Sequence, residues 1–62
     1  MTNESIRGMD PYMLLSVINT KLRDEYSSLD ILCDDMDIDK ETVLSKLASV
    51  DYIYDGSINQ FK

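Results

Sequence analysis

Any chemistry in this chain has to be done with a thiol and carboxylates. Cys33 opens the run Cys33-Asp34-Asp35-Met36-Asp37-Ile38-Asp39-Lys40-Glu41, in which five acids fall within eight positions. A nucleophilic cysteine needs a base or a nearby cation to favour the thiolate. The sequence contains no histidine, so neither a Cys-His nor a Ser-His pair exists. Asp30, Asp34 and Asp35 would raise the pKa of the thiol, and a lone cysteine among apolar residues packs as a small hydrophobe. The spaced acids suggest a calcium loop, but the central glycine and the glutamate at the twelfth position are missing. Asp39 is better explained as a helix cap. Paired carboxylates for hydrolysis need a concave pocket, which so short a chain hardly encloses. Gly8 and Gly56 stand alone, with no phosphate-cradling motif around either. The expectation is a protein that is not an enzyme and has no catalytic residue, cofactor or metal.

Charge narrows the partners. Twelve acidic residues oppose six basic ones in 62 residues, a net charge of −6. Such a chain repels phosphate backbones at long range. Eight of the acids lie between Asp24 and Glu41, opposed there only by Lys40. A solvated surface is the simpler reading of this cluster, and a docking face for a basic partner is the alternative. One cysteine allows no internal disulfide and suits a reducing, cytoplasmic setting. Met1 to Gly8 lack a basic segment followed by an apolar run, and no stretch approaches roughly 18 apolar residues. Neither secretion nor a membrane is expected.

Positioning these residues falls to a few short elements. Residues 1–9 read as a flexible N-terminal arm, and residues 10–62 as a single domain. Asp10-Pro11 opens a first helix, with aspartate as N-cap and proline where a missing N–H costs nothing. Leu14, Val17, Ile18 and Leu22 make its apolar stripe, and Tyr26 ends it. Ser27 or Ser28 caps a second helix that buries Leu29, Leu32, Cys33 and Met36. Asp39 caps a third, in which Val43, Leu47 and Val50 recur at helical spacing. Asp55-Gly56 marks a hairpin turn between runs rich in aromatic and β-branched residues. A two-residue loop pairs Tyr54 with Ser57. A three-residue loop pairs Tyr54 with Ile58 and gathers more apolar area, which favours it.

Leu32, Cys33, Met36, Ile38, Val43, Leu47 and Val50 have the spacing of two short helices packed across a tight turn. Asp37 stands where many such turns carry glycine, and aspartate tolerates the left-handed conformation better than most residues. The order helix, helix, helix, hairpin gives a mainly α fold: a three-helix, helix-turn-helix core with a short C-terminal β-hairpin, minimal and winged-helix-like. Met13-Leu14-Leu15-Ser16, Asn19 through Asp24, Tyr26-Ser27-Ser28-Leu29-Asp30, Leu32-Cys33-Asp34-Asp35 and Asn59-Gln60-Phe61 resemble the uncharacterised bacterial family known as domain of unknown function 4250. The resemblance covers nearly everything after the arm and implies no activity.

The fold type suggests nucleic acid, and the charges oppose it. A reading face would be formed by Lys40, Ser45 and Lys46, flanked by Lys21 or Arg23. Asp30, Asp34, Asp35, Asp37 and Asp39 would lie near the phosphates, and the wing brings Asp55. DNA is therefore the less favoured partner. The favoured reading is a small non-catalytic module for protein interaction or self-association. Its expected interface is Met13, Leu15, Leu44 and Tyr52, within a chain unusually rich in tyrosine, a residue that buries ring area while keeping a polar end. A protein partner or a homo-oligomer follows from that reading.

Overall fold

Local signals at the helix ends set most of the architecture. The computed structural model describes residues 1–62. Four helices, α1 (Asn3–Gly8), α2 (Pro11–Asp24), α3 (Leu29–Met36) and α4 (Lys40–Ala48), precede strands β1 (Tyr54–Asp55) and β2 (Gln60–Phe61). The Asp10 carboxylate accepts from the Tyr12 and Met13 N–H groups, with Pro11 in the first turn of α2. Ser28, of the two serines, caps α3 by accepting from the Ile31 N–H. Asp39 caps α4 by accepting from the Glu41 N–H.

The turn between α3 and α4 is three residues long. Asp37 takes the left-handed conformation at φ 55°. The Ile38 N–H reaches back to the Cys33 carbonyl and the Asp37 N–H to that of Asp34. This pairing closes the end of α3 and turns Ile38 into the core. The end of α4 repeats the device. Asp51 has φ 67°, and the Tyr52 and Asp51 N–H groups bond the Leu47 and Ala48 carbonyls. Aspartate thus fills at both ends the position glycine usually takes.

The core is wholly apolar. Ile6, Leu14, Ile18, Leu22, Leu29, Leu32, Cys33, Ile38, Val43, Leu47 and Phe61 form one buried cluster, with no polar side chain inside it. Two expectations are corrected here. The N-terminal nine residues, read as a flexible arm, carry α1. A Thr2–Ser5 capping box starts that helix and Ile6 is fully buried. Ile6 is the lone aliphatic side chain between Met1 and Met9, too little for periodicity to reveal a helix. Val50, expected in the α4 stripe, is only half-buried.

The hairpin adopts neither expected register. Tyr54 pairs with Phe61 and Asp55 with Gln60, leaving residues 56–59 as the loop. Asp55 accepts from both the backbone N–H and the hydroxyl of Ser57, which widens the turn. No glycine has positive φ; the left-handed residue is Asn59, at φ 53°. This register buries Phe61 against the core and leaves Ile58 exposed. The Tyr54 and Phe61 rings meet at a tilt, their centroids 5.4 Å apart. With two residues per strand, the hairpin lies against α2, and its likeness to a wing is loose.

Three side chains join hairpin to helices. Asn59 Nδ2 donates to the Leu22 and Tyr26 carbonyls at 3.0 and 2.9 Å. Its Oδ1 accepts from the Tyr54 hydroxyl at 2.7 Å, and that hydroxyl accepts from the Leu29 N–H at 3.3 Å. Asn19 mimics a third strand: its carboxamide accepts from the Phe61 N–H at 2.9 Å and donates to the Phe61 carbonyl at 3.1 Å. Replacing Asn59 strands the Leu22 and Tyr26 carbonyls and puts a Cβ-bearing residue without local support at positive φ. Asn59→Ala should cost about 2–4 kcal/mol in urea unfolding. Asn59→Gly, free of the backbone penalty, should recover about 1 kcal/mol of that. A loss below about 0.5 kcal/mol for the alanine variant would mean the clasp is not structural.

Candidate functional site

Of the expected nucleic-acid face, Lys40 stands apart from Ser45 and Lys46. Lys40 and Lys46 are six positions apart, about 120° around α4, and the buried Val43–Leu47 stripe lies between them. Lys40 leans toward α3, where its ammonium meets Asp30 Oδ1 at 2.7 Å. That hydrogen bond, and then the charge of Asp30, hold the Lys40 pKa above the ordinary lysine value. Lys46 leans toward α1 and donates to the Arg7 carbonyl at 2.7 Å. Ser45 is exposed on the same side of α4 as Lys46. Of the expected flanking cations, Lys21 pairs with Glu25 and Arg23 with Asp24.

Between α1 and α4 lies a shallow depression of about 460 Å³. Arg7, Lys46, Asp39, Glu41, Thr42, Ser45 and Ser49 line it, all polar, with two cationic and two anionic side chains. A second groove runs between α2 and the hairpin loop, past Ser16, Thr20, Arg23 and Gln60. The carboxamides of Asn19 and Asn59 at its floor are already committed to backbone partners.

The acids are distributed rather than gathered. Asp30, Ile31, Asp34 and Asp35 make up the solvent side of α3. Asp30 is taken by Lys40 and Asp35 by the Tyr26 hydroxyl, at 2.6 Å. Asp39 is spent on the α4 N-terminus, where it also accepts from the Thr42 hydroxyl. No three acids or thiols are arranged around a common point that would hold a metal ion. Cys33 is buried, and burial first, then the charge of Asp30, pushes its pKa up and keeps it a thiol.

The apolar interface residues differ in exposure. Met13 is 60 % exposed, whereas Leu15, Leu44 and Tyr52 are half-buried and pack against the core. Met13 and Leu15, two positions apart, point about 200° from each other around α2. What the structure does bring together is Tyr12 and Tyr52, edge to face at 6.5 Å, with the Tyr12 side 59 % exposed. Leu15 follows Tyr12 by three positions on the same flank of α2. Tyr12 was legible only as one of four tyrosines, because its partner is forty residues away in sequence.

No helix is long and apolar enough to cross a membrane. A protein-family profile described as "Domain of unknown function (DUF4250)" matches residues 8–61. No curated protein and no solved structure matches the chain.

The Tyr26–Asp35 bond has a measurable signature. The hydrogen bond to the carboxylate, with burial next, pushes the Tyr26 pKa from 10.0 up to about 12. The neutral phenol is therefore favoured in the folded chain. Its contribution to stability is fully present below pH 10 and is lost as the pH rises through about 12. Alkaline titration followed by tyrosinate absorbance should show one tyrosine ionising near pH 12, and Asp35→Asn should bring it back toward 10. Four tyrosines ionising together in the native protein would contradict this assignment.

Proposed function

We infer the role of this chain from its surface, because it belongs to the DUF4250 family, whose description as a domain of unknown function brings no activity with it. The reading is a small non-catalytic module for protein interaction or self-association, working in a reducing, cytoplasmic setting that suits its single buried thiol. One observation carries it: the Tyr12 ring stands mostly in solvent, held edge-on by Tyr52, beside the half-buried Leu15. Rigid aromatic side chains with one polar end dominate the energetic centres of protein interfaces. Fixing Tyr12 against Tyr52 before contact lowers the entropy lost on binding.

A nucleic-acid role has less support. Its two lysines stand on opposite flanks of α4, and each already has a partner. Acids surround them, and a chain of net charge −6 meets phosphates with repulsion.

Sedimentation of the full chain across about two decades of concentration should reveal reversible association or a complex with a protein partner. Tyr12→Ser should weaken it by about 1–3 kcal/mol, some tenfold to a hundredfold in affinity, with helicity unchanged. A monomer whose only ligand is duplex DNA, bound in a salt-sensitive way and released by Lys40→Gln with Lys46→Gln, would replace this reading with the nucleic-acid one.

A further inference from the structure

Four of the six basic side chains are ion-paired: Lys21 with Glu25, Arg23 with Asp24, Lys40 with Asp30 and Lys62 with Asp55. The other two, Arg7 and Lys46, both line the depression between α1 and α4. In a chain with twelve acids, two cations left without a carboxylate in one hollow are positioned for an anion from outside. Arg7 contributes its carbonyl to the fold, which accepts from Lys46 Nζ at 2.7 Å. Its guanidinium is exposed with the whole fork of N–H donors free, and the Lys46 ammonium keeps N–H groups beyond the one given to that carbonyl. The same bond holds the Lys46 head beside Arg7, so the two cations share one end of the depression.

The rest of the lining defines the ligand. Ser45 and Ser49 present short side chains beside Lys46, which leaves the surface of α4 hollow there. The Ser49 hydroxyl donates to the Lys46 carbonyl, whereas that of Ser45 bonds nothing in the chain. Acids stand at the other end, toward the start of α4. Asp39 is committed to the α4 cap and to Thr42, and Glu41 carries no cation. A phosphate dianion meets as much negative charge here as positive, within a chain of net charge −6. A flat, singly charged carboxylate matches the arginine fork. Glu41 then favours a positive group at the far end of the ligand. Glu41 and Lys46 are five positions apart, about 7.5 Å along the helix axis. An extended dipeptide spans about 7 Å between its charged ends, and a single amino acid about half of that. The volume, about 460 Å³, lies in the range of small-molecule sites.

We propose that this depression binds the zwitterion of a short peptide, with its carboxylate on Arg7 and Lys46, the Ser45 hydroxyl donating beside them, and its ammonium toward Glu41. No residue of the site belongs to the Tyr12–Tyr52 pair, so the two surfaces are tested separately.

The test titrates the isotope-labelled full chain with glycylglycine and follows its amide resonances. The shifts should saturate and centre on Arg7, Glu41, Ser45 and Lys46. N-acetyl-glycylglycine, which lacks the ammonium, and inorganic phosphate should each bind at least about fivefold more weakly. Arg7→Gln removes a guanidinium with no partner in the chain, so helicity should hold while affinity for glycylglycine falls at least about tenfold. Arg7→Lys should recover part of that loss. Glu41→Gln should bring glycylglycine and its acetylated form to the same affinity, and Tyr12→Ser should change neither. The proposal is overturned by shifts that stay linear up to about 100 mM, by phosphate binding more tightly than the dipeptide, or by an Arg7→Gln chain that binds as the natural one does. Loss of glycylglycine binding in Tyr12→Ser would also overturn it and move the peptide to the aromatic pair.

Discussion

The carboxamide of Asn59 ties the hairpin to the end of the longest helix. Asn59 satisfies the Leu22 carbonyl in the last turn of α2, where helical bonding has run out, and the Tyr26 carbonyl just beyond it. Through Tyr54 the same group reaches the Leu29 N–H, a donor that α3 leaves free in its first turn. One side chain and its phenol partner therefore serve the ends of two helices at once. The register of the hairpin depends on this, because only with Asn59 left-handed does Phe61 turn into the core. Asn19 then fixes Phe61 from the other side as a substitute strand. A two-residue strand pair is marginal by itself, and these bonds supply what further strands would. The family resemblance rests partly on Asn19 and on Asn59-Gln60-Phe61, and the clasp gives those residues an architectural role.

The charge of the chain is handled locally. Several of the acids between Asp24 and Glu41 have structural work: Asp37 and Asp39 shape the turn, Asp30 holds Lys40, and Asp35 holds Tyr26. A helix-turn-helix arrangement is thus assembled from aspartates, which fill the positions of caps and of left-handed glycines. The consequence for function is direct. The two lysines of α4 bond within the molecule, one toward α3 and one toward α1, so they do not form a shared basic face. A resemblance in fold does not carry the electrostatics that nucleic-acid recognition needs.

The interior helps explain why contact with another molecule is an attractive reading. A core of eleven side chains is close to the lower limit for independent folding. Large apolar side chains, among them Tyr12, Met13 and Ile53, are left at the surface. The ordered contact among them is the tyrosine pair.

The sequence by itself determined α2, α3 and α4, the caps at Asp10 and Asp39, the left-handed Asp37 and most of the core. These are set within a few residues of one another, by apolar spacing and by side chains bonding adjacent backbone. The tertiary structure alone decided the rest. Ile6 could be recognised as a core residue, and α1 as a helix, only once α4 offered a seat. The hairpin register turned on Asn59 meeting Leu22 and Tyr26, a contact across more than thirty residues. Lys40 and Lys46 read as neighbours in a list of polar residues and proved to lie on opposite flanks, because the buried stripe runs between them. Met13 and Leu15 likewise read as parts of one interface, but helix phase points them away from each other. Short-range chemistry fixes where elements begin and end; which side chains share a surface is decided by packing.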